Sequence, residues 1–251
     1  MPTTTLRCEL LTMTPSAEAL IYTNAKQCVS ENDAIDIFQW AADPSFNYPD
    51  NRDQQCALIR RVIASGHLGV IEPVQFTFGV SGVSRALSHQ LVRHRIASYS
   101  QQSQRYVKAK DFDYIIPPSI EKGGPHENYQ GETVTAFHDI MRRIEDAYDD
   151  LLTLGIPAED ARFVLPNACE TKLVVTMNCR SLLHFFEQRC CMRAQWEIRA
   201  LANAMLAICR EKLPVVFENA GALCNKNKFC DEHDSCGRYP KRADMKASGA
   251  I

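Results

Sequence analysis

The chain is 251 residues long, 45% hydrophobic by composition, and carries 28 Lys and Arg against 30 Asp and Glu for a formal net charge of -2. That length suits one large domain with appendages, the apolar content is enough for a sizeable core, and the near-neutral charge excludes a general nucleic-acid coat. No apolar run approaches membrane-spanning length, and the N-terminus shows no charged start leading into an apolar stretch. The expected location is therefore the cytoplasm, with the eleven cysteines as reduced thiols.

In chain order, Thr14 to Val29 reads as a helix with Pro15 just inside its start. Gln54 to Ser65 reads as a second, stopped by Gly66. Val74, Phe76, Phe78 and Val80 alternate with polar or small residues, the period of a half-buried strand. Ser84 is placed to cap a helix running to about Arg95, which would put Gln90, Arg93 and His94 on one face. Tyr114 to Ile116 stops at Pro117-Pro118. Val134, Phe137, Met141, Ile144, Tyr148 and Leu151 recur at helical spacing, Gly155 closes that helix, and a shorter one starts at Ala158. Lys172 to Met177 reads as a strand; Ser181 to Cys191 and Ala194 to Lys212 read as helices. Strands and helices mix without a βαβ rhythm, so the expected class is α+β, with one domain over 1–238 that includes a cysteine-containing extension at about 221–238, and a loose tail over 239–251.

The segment from Arg93 to Tyr106 holds three arginines, a histidine, three serines and three glutamines, and no carboxylate. Between Arg60 and Lys110, eight Lys or Arg residues face a single acid, Glu72. A basic stretch within a neutral chain suits a small anionic ligand: guanidinium forks match phosphate oxygens, and hydroxyls and amides read the rest. An extended chain after Ser100 would turn Gln101, Ser103 and Arg105 to one side and Gln102, Gln104 and Tyr106 to the other. Composition alone leaves open a solvated basic loop, or a nucleotide- or RNA-binding module without catalysis.

Arg93-His94-Arg95 followed by seven residues and Ser103 is similar to the RHR-x7-S motif of the flavin-dependent thymidylate synthases. Further landmarks stand in that family's order: Gln90 ahead of the motif, Arg105-Tyr106 after it, Ala161 to Pro166, Asn178 to Leu182, and Ala194 to Ile198. The resemblance implies a largely antiparallel sheet flanked by helices. It also implies reductive methylation of dUMP to dTMP, with methylenetetrahydrofolate as carbon donor and FAD, reduced by NADPH, as hydride carrier. It further implies a homotetramer with shared active sites, and no nucleic-acid or membrane partner.

Carried over by position, Gln90, Leu91, Val92, Arg93, Gln101, Gln102, Ser103, Gln104, Arg105, Arg162 and Arg189 are the expected dUMP contacts. Arg105 and Arg162 would take the phosphate, and Arg189 would stabilise a deprotonated uracil ring. Arg93, His94, Arg95, Gln101, Asn178, Arg180, His184 and His67 are the expected FAD contacts. Gln101 stands where the family often has a glutamate, and His184 where some members have Asn. Ser103 and Arg189 are the catalytic candidates, with no cysteine nucleophile: the basic segment contains no thiol, and Ser103 has no evident base beyond His94. Several of these residues taken singly have plainer readings, His67 as a turn residue and Arg162 as a helix-surface arginine. Apart from this set, Cys224, Cys230, His233 and Cys236 form a weak candidate for a tetrahedral zinc site; reduced surface thiols are the plainer reading.

Overall fold

Alternation builds the sheet. In a computed structural model, which describes residues 4–43, 45, 51–122 and 137–247, strand β1 spans Arg7–Met13, β2 Gln75–Ser84, β3 Ala97–Gln101 and β4 Glu170–Asn178. They join as one antiparallel sheet in the order β1-β2-β4-β3. Phe76, Phe78 and Val80 of β2, and Thr171, Leu173, Val175 and Met177 of β4, turn inward while their neighbours face out or are half-buried. The expected α+β class is the observed one.

The helices are α1 Ala17–Gln27, α2 Ala34–Ala42, α3 Arg52–Ala64, α4 Arg85–Leu91, α5 Pro118–Lys122, α6 Phe137–Thr153, α7 Ala158–Ala161, α8 Cys179–Arg189, α9 Trp196–Lys212, α10 Pro214–Phe217, α11 Leu223–Asn227 and α12 Arg242–Ala247. Their starts are chemically marked. Asn51 and Gln54 close a reciprocal capping box on α3, Ser84 accepts from the Leu87 amide at 3.0 Å, and Asn178 accepts from the Ser181 amide at 2.8 Å. Of the stripe expected to begin at Val134, that residue lies outside the described residues; α6 carries the rest.

Contacts group the chain into two compact units, both discontinuous: 1–7, 80–93 and 100–174, and 8–79, 94–99 and 175–251. In the first, Phe112, Tyr114, Met141 and Cys169 form a core cluster, flanked by Phe137, Ile144 and Leu165. The Tyr114 hydroxyl meets His138 Nδ1. In the second, Phe217 stands edge-on to both Phe76 and Phe186, centroids 5.8 and 6.0 Å away. No helix among the described residues is long and apolar enough to cross a membrane.

Two expectations need correcting. The helix after Ser84 ends at Leu91, not near Arg95. Ile96 adopts a left-handed φ of 63°, held where its carbonyl accepts from Ser181 Oγ at 3.0 Å, and the chain turns there into β3. Gln90, Arg93 and His94 therefore do not share a helical face. The extended run expected after Ser100 stops at Gln101: Ser103 O accepts from the amides of Tyr106 and Val107 at 3.3 and 3.0 Å, so 103–107 curls into a turn and the alternation is lost. Within the tail expected from 239, Arg242–Ala247 form α12, next to a Cys230–Lys241 β-bridge and an Arg242–Asp231 ion pair.

Candidate active site

In the first unit, the start of β4 and the residue before it organise the glutamines at and beyond the end of β3. Gln101 Nε2 donates to Thr171 Oγ1 at 2.9 Å, the Gln102 amide donates to Lys172 O at 2.9 Å, and Gln104 Nε2 approaches Cys169 Sγ at 3.7 Å. The turn then presents Arg105 to α7. Its guanidinium meets the Glu159 carboxylate at 2.8 Å, while Arg162 Nε donates to Glu159 O at 2.9 Å. The two arginines assigned to a phosphate thus gather on one residue, Glu159, which the sequence reading missed. Arg105 is exposed and Arg162 half-buried, so both guanidinia reach solvent. Ser103 is half-buried and its Oγ accepts the Arg105 amide at 3.2 Å. Burial pushes the nearby Cys169 thiol up to about 11, so it stays protonated at neutral pH. Gln90 is half-buried, Leu91 buried and Val92 exposed; Leu91 packs as core and offers a ligand backbone only.

The second unit gathers a different set. Arg189, the last residue of α8, donates from Nε to His94 Nε2 at 2.9 Å. The His94 ring lies edge-on against Phe185 at 4.9 Å and faces His184 at 6.3 Å, and Tyr99 donates its hydroxyl to His94 O at 2.8 Å. Burial above all, then the Arg189 charge and His184, holds the His94 pKa down at about 4. The imidazole is therefore neutral at physiological pH and accepts from a permanent cation. Burial also raises the Tyr99 hydroxyl to about 12, so it remains a donor. His184 is exposed and shares a 3.0 Å contact with Gln188. Arg180 Nη1 pairs with Glu72 at 2.5 Å. His67 is exposed at the start of the short turn 68–71, and no described contact joins its ring to the His94 group.

Of the residues expected at a nucleotide, all but Arg189 fall in the first unit; of those expected at a flavin, all but Arg93 and Gln101 fall in the second. Arg93 and Arg95 are exposed and form no ion pair among the described residues. Asn178 spends its side-chain oxygen on the helix cap, which leaves its amide NH2 to donate. Unpaired guanidinia, an amide and imidazoles are a donor set that fits a cofactor bearing a diphosphate and a hydrogen-bonding ring edge. Glu159, Glu72 and Thr171 carried no local signal, since their partners lie far off in sequence; the partner of Tyr99 is five residues away. The weak zinc set is not assembled: among the described residues no three His, Cys, Asp or Glu side chains stand ready to hold a metal, and the His233 ring, exposed, turns to Asp234 at 3.0 Å.

An antiparallel α+β chain whose two units present guanidinium, imidazole and amide groups is compatible with an enzyme that leaves redox chemistry to a bound cofactor. Residues 9–215 match the family described as thymidylate synthase complementing protein. The flavin-dependent thymidylate synthase of Nitratidesulfovibrio vulgaris is 48% identical over 98% of this chain and 100% of its own length. That of Clostridium tetani is 41% identical over 96% of each chain. The chain belongs to the flavin-dependent thymidylate synthase family. Its fold also matches a solved UMP/dUMP methylase of Streptomyces cacaoi bound with 5-Br dUMP, with a TM-score of 0.68, 24% identity, and coverage of 86% of this chain and 94% of that one.

Proposed function

We propose that this chain methylates dUMP reductively to dTMP, with methylenetetrahydrofolate as carbon donor, and releases tetrahydrofolate. A bound FAD would supply the hydride chemistry, with NADPH as the source of reducing equivalents. Arg105 and Arg162 bind the nucleotide phosphate, with the Glu159 carboxylate holding Arg105 until the phosphate takes its place. Gln90, Arg93, Gln101, Gln102 and Gln104 complete the nucleotide contacts, and Ser103 sits beside the pyrimidine as a hydrogen-bonding hydroxyl. Arg93, Arg95, Asn178, Arg180, His184 and His67 serve the flavin.

The observation that carries the reading is the Arg189–His94 pair. A guanidinium cannot give up its proton at any working pH, so it favours an anionic uracil ring without acting as an acid. Neutral His94 fixes the guanidinium plane by accepting from Nε and leaves the terminal nitrogens to the ring. No thiol is needed, in keeping with the protonated state of Cys169. Exposed apolar side chains at Tyr106 and Phe163, 81% and 82% accessible, support burial against further copies in a homotetramer. One catalytic domain over 1–238, a cytoplasmic location and the absence of a nucleic-acid partner complete the proposal.

Purified protein mixed with FAD should turn yellow and bleach with NADPH. It should then release tritium from C5-labelled dUMP only when methylenetetrahydrofolate is present. A chain that takes up no flavin, or that takes it up and releases no tritium, refutes the proposal.

A further inference from the structure

Between Arg95 and Ala97 the backbone carries a cost that the side chain there does not offset. Ile96 has a φ of 63°, a left-handed conformation that a β-branched residue rarely adopts. It is also 78% exposed, so little packing compensates. A residue held off its preferred conformation persists only where its surroundings fix it, and such residues cluster at functional sites. Here two hydroxyls do the fixing. Ser181 Oγ donates to Ile96 O at 3.0 Å. Tyr99 donates to His94 O at 2.8 Å, which closes the segment 94–99 on itself.

Both hydroxyls belong to the same unit as the segment they hold. Ser181 is the third residue of α8, and its own amide is fixed by Asn178 Oδ1 at 2.8 Å. Its hydroxyl therefore projects from a rigid helix start. Arg189, the last residue of α8, takes the segment a second time by donating to His94 Nε2 at 2.9 Å. The two grips lie about 12 Å apart along the helix, at about 1.5 Å per residue. An extended chain would return Ile96 to the side of His94. The left-handed step instead buries the His94 ring and leaves Arg95 and Ile96 both in solvent. Burial also lifts the Tyr99 hydroxyl to about 12, so it stays a donor at any working pH.

We propose that Ser181 and Tyr99 are positioning residues: their hydroxyls hold the strained turn at Ile96, and the turn sets the His94 imidazole against Arg189 while keeping Arg95 clear for the flavin, on the roles given above to Arg189 and Arg95. Both act through backbone carbonyls, not on a ligand.

The first readout needs no ligand. In the full chain without flavin, the His94 ring should titrate near 4, with Arg189 and His184, both of α8, as the charged and titratable groups that face it. Ser181→Ala and Tyr99→Phe should each raise that midpoint to about 5 or above, because a freed ring gains water and draws away from Arg189. Ser181→Thr keeps the hydroxyl and should titrate as the wild type does. Asparagine accepts the left-handed region far better than isoleucine. Ile96→Asn should therefore raise Tm on its own and, added to Ser181→Ala, bring the His94 midpoint back down. With FAD, dUMP, methylenetetrahydrofolate and NADPH supplied, Ser181→Ala and Tyr99→Phe should lower kcat about five- to tenfold and leave the KM for dUMP within about twofold. An unmoved His94 titration in either single variant overturns the proposal, as does a double variant no closer to the wild type than Ser181→Ala. A chain that shows these titrations yet turns over no dUMP refutes the proposed function and leaves the positioning of His94 standing.

Discussion

Replacing His94 is the sharpest test of how Arg189 is held. In His94→Leu the Arg189 Nε–H loses its acceptor at 2.9 Å in a partly buried place, where water replaces it poorly. A hydrogen bond to a charged group contributes about 1.5–3 kcal/mol. At 1.36 kcal/mol per decade of rate, kcat should fall roughly 10- to 150-fold. His94→Gln, which carries an acceptor oxygen near the position of Nε2, should recover most of that loss. The KM for dUMP should move little in either variant, since the proposal places the phosphate on Arg105 and Arg162. The pH dependence follows from the same pair. Folding lowers the His94 pKa from 6.5 to about 4, so the neutral ring's contribution is complete above 6.5 and is lost as pH falls through about 4. The acid limb assigned to His94 should therefore lie near 4, read by NMR titration of its ring protons and by kcat against pH. Wild-type ring protons titrating near 6.5, or a leucine variant that turns over at the normal rate, would refute the reasoning.

The other expectations concern the phosphate pair, the serine and the sheet. Arg105→Ala and Arg162→Ala should each raise the KM for dUMP about tenfold or more by loss of a charge-assisted bond, measured by steady-state tritium release. Glu159→Gln removes the carboxylate that competes with phosphate for Arg105. The exposed pair contributes about 0.5–1 kcal/mol, so the KM should drop about two- to fivefold at low salt and less at high salt; an increase would mean that Glu159 positions Arg105. Ser103→Ala should retain measurable turnover, and intact mass spectrometry during turnover should show no nucleotide adduct on the wild-type chain. Gly82 sits at φ +67° with its absent Cβ only 1.9 Å from Thr5 O, so Gly82→Ala should cost about 2 kcal/mol or more. That lowers Tm by about 4–8 °C for a chain of this size, as a calorimetric melt would show.

What the sequence disclosed depended on whether a signal was local. Caps and period-two runs are local, so α3, α8 and β4 were legible within a residue or two, while the alternation read from Val74 to Val80 fell short of the end of β2 at Ser84. The end of α4 was not: no Gly or Pro marks it, and the break rests on Ile96 in a left-handed conformation that isoleucine rarely adopts, steadied by a serine far along the chain. β1 escaped because it is an edge strand whose residues are exposed or half-buried, which blunts the alternation. The site divided in the same way. Residue type announced the cations, but their partners lie 54 residues away for Arg105 and Glu159, 95 for Arg189 and His94, and 108 for Arg180 and Glu72. No window of sequence contains such pairs.

That division has a chemical consequence. Arg105 and Arg180 each hold a carboxylate in the free chain and must exchange it for a ligand oxygen, which offsets part of the new bond. Arg93 and Arg95, with no ion pair among the described residues, exchange only water. A cation that gives up nothing but water has the larger net attraction at contact and the weaker geometric preference. On the proposed assignment, Arg93 and Arg95 are thus suited to capturing an anionic cofactor, and Arg105 to discriminating the substrate, because a phosphate placed to satisfy Arg105 and Arg162 together would displace Glu159.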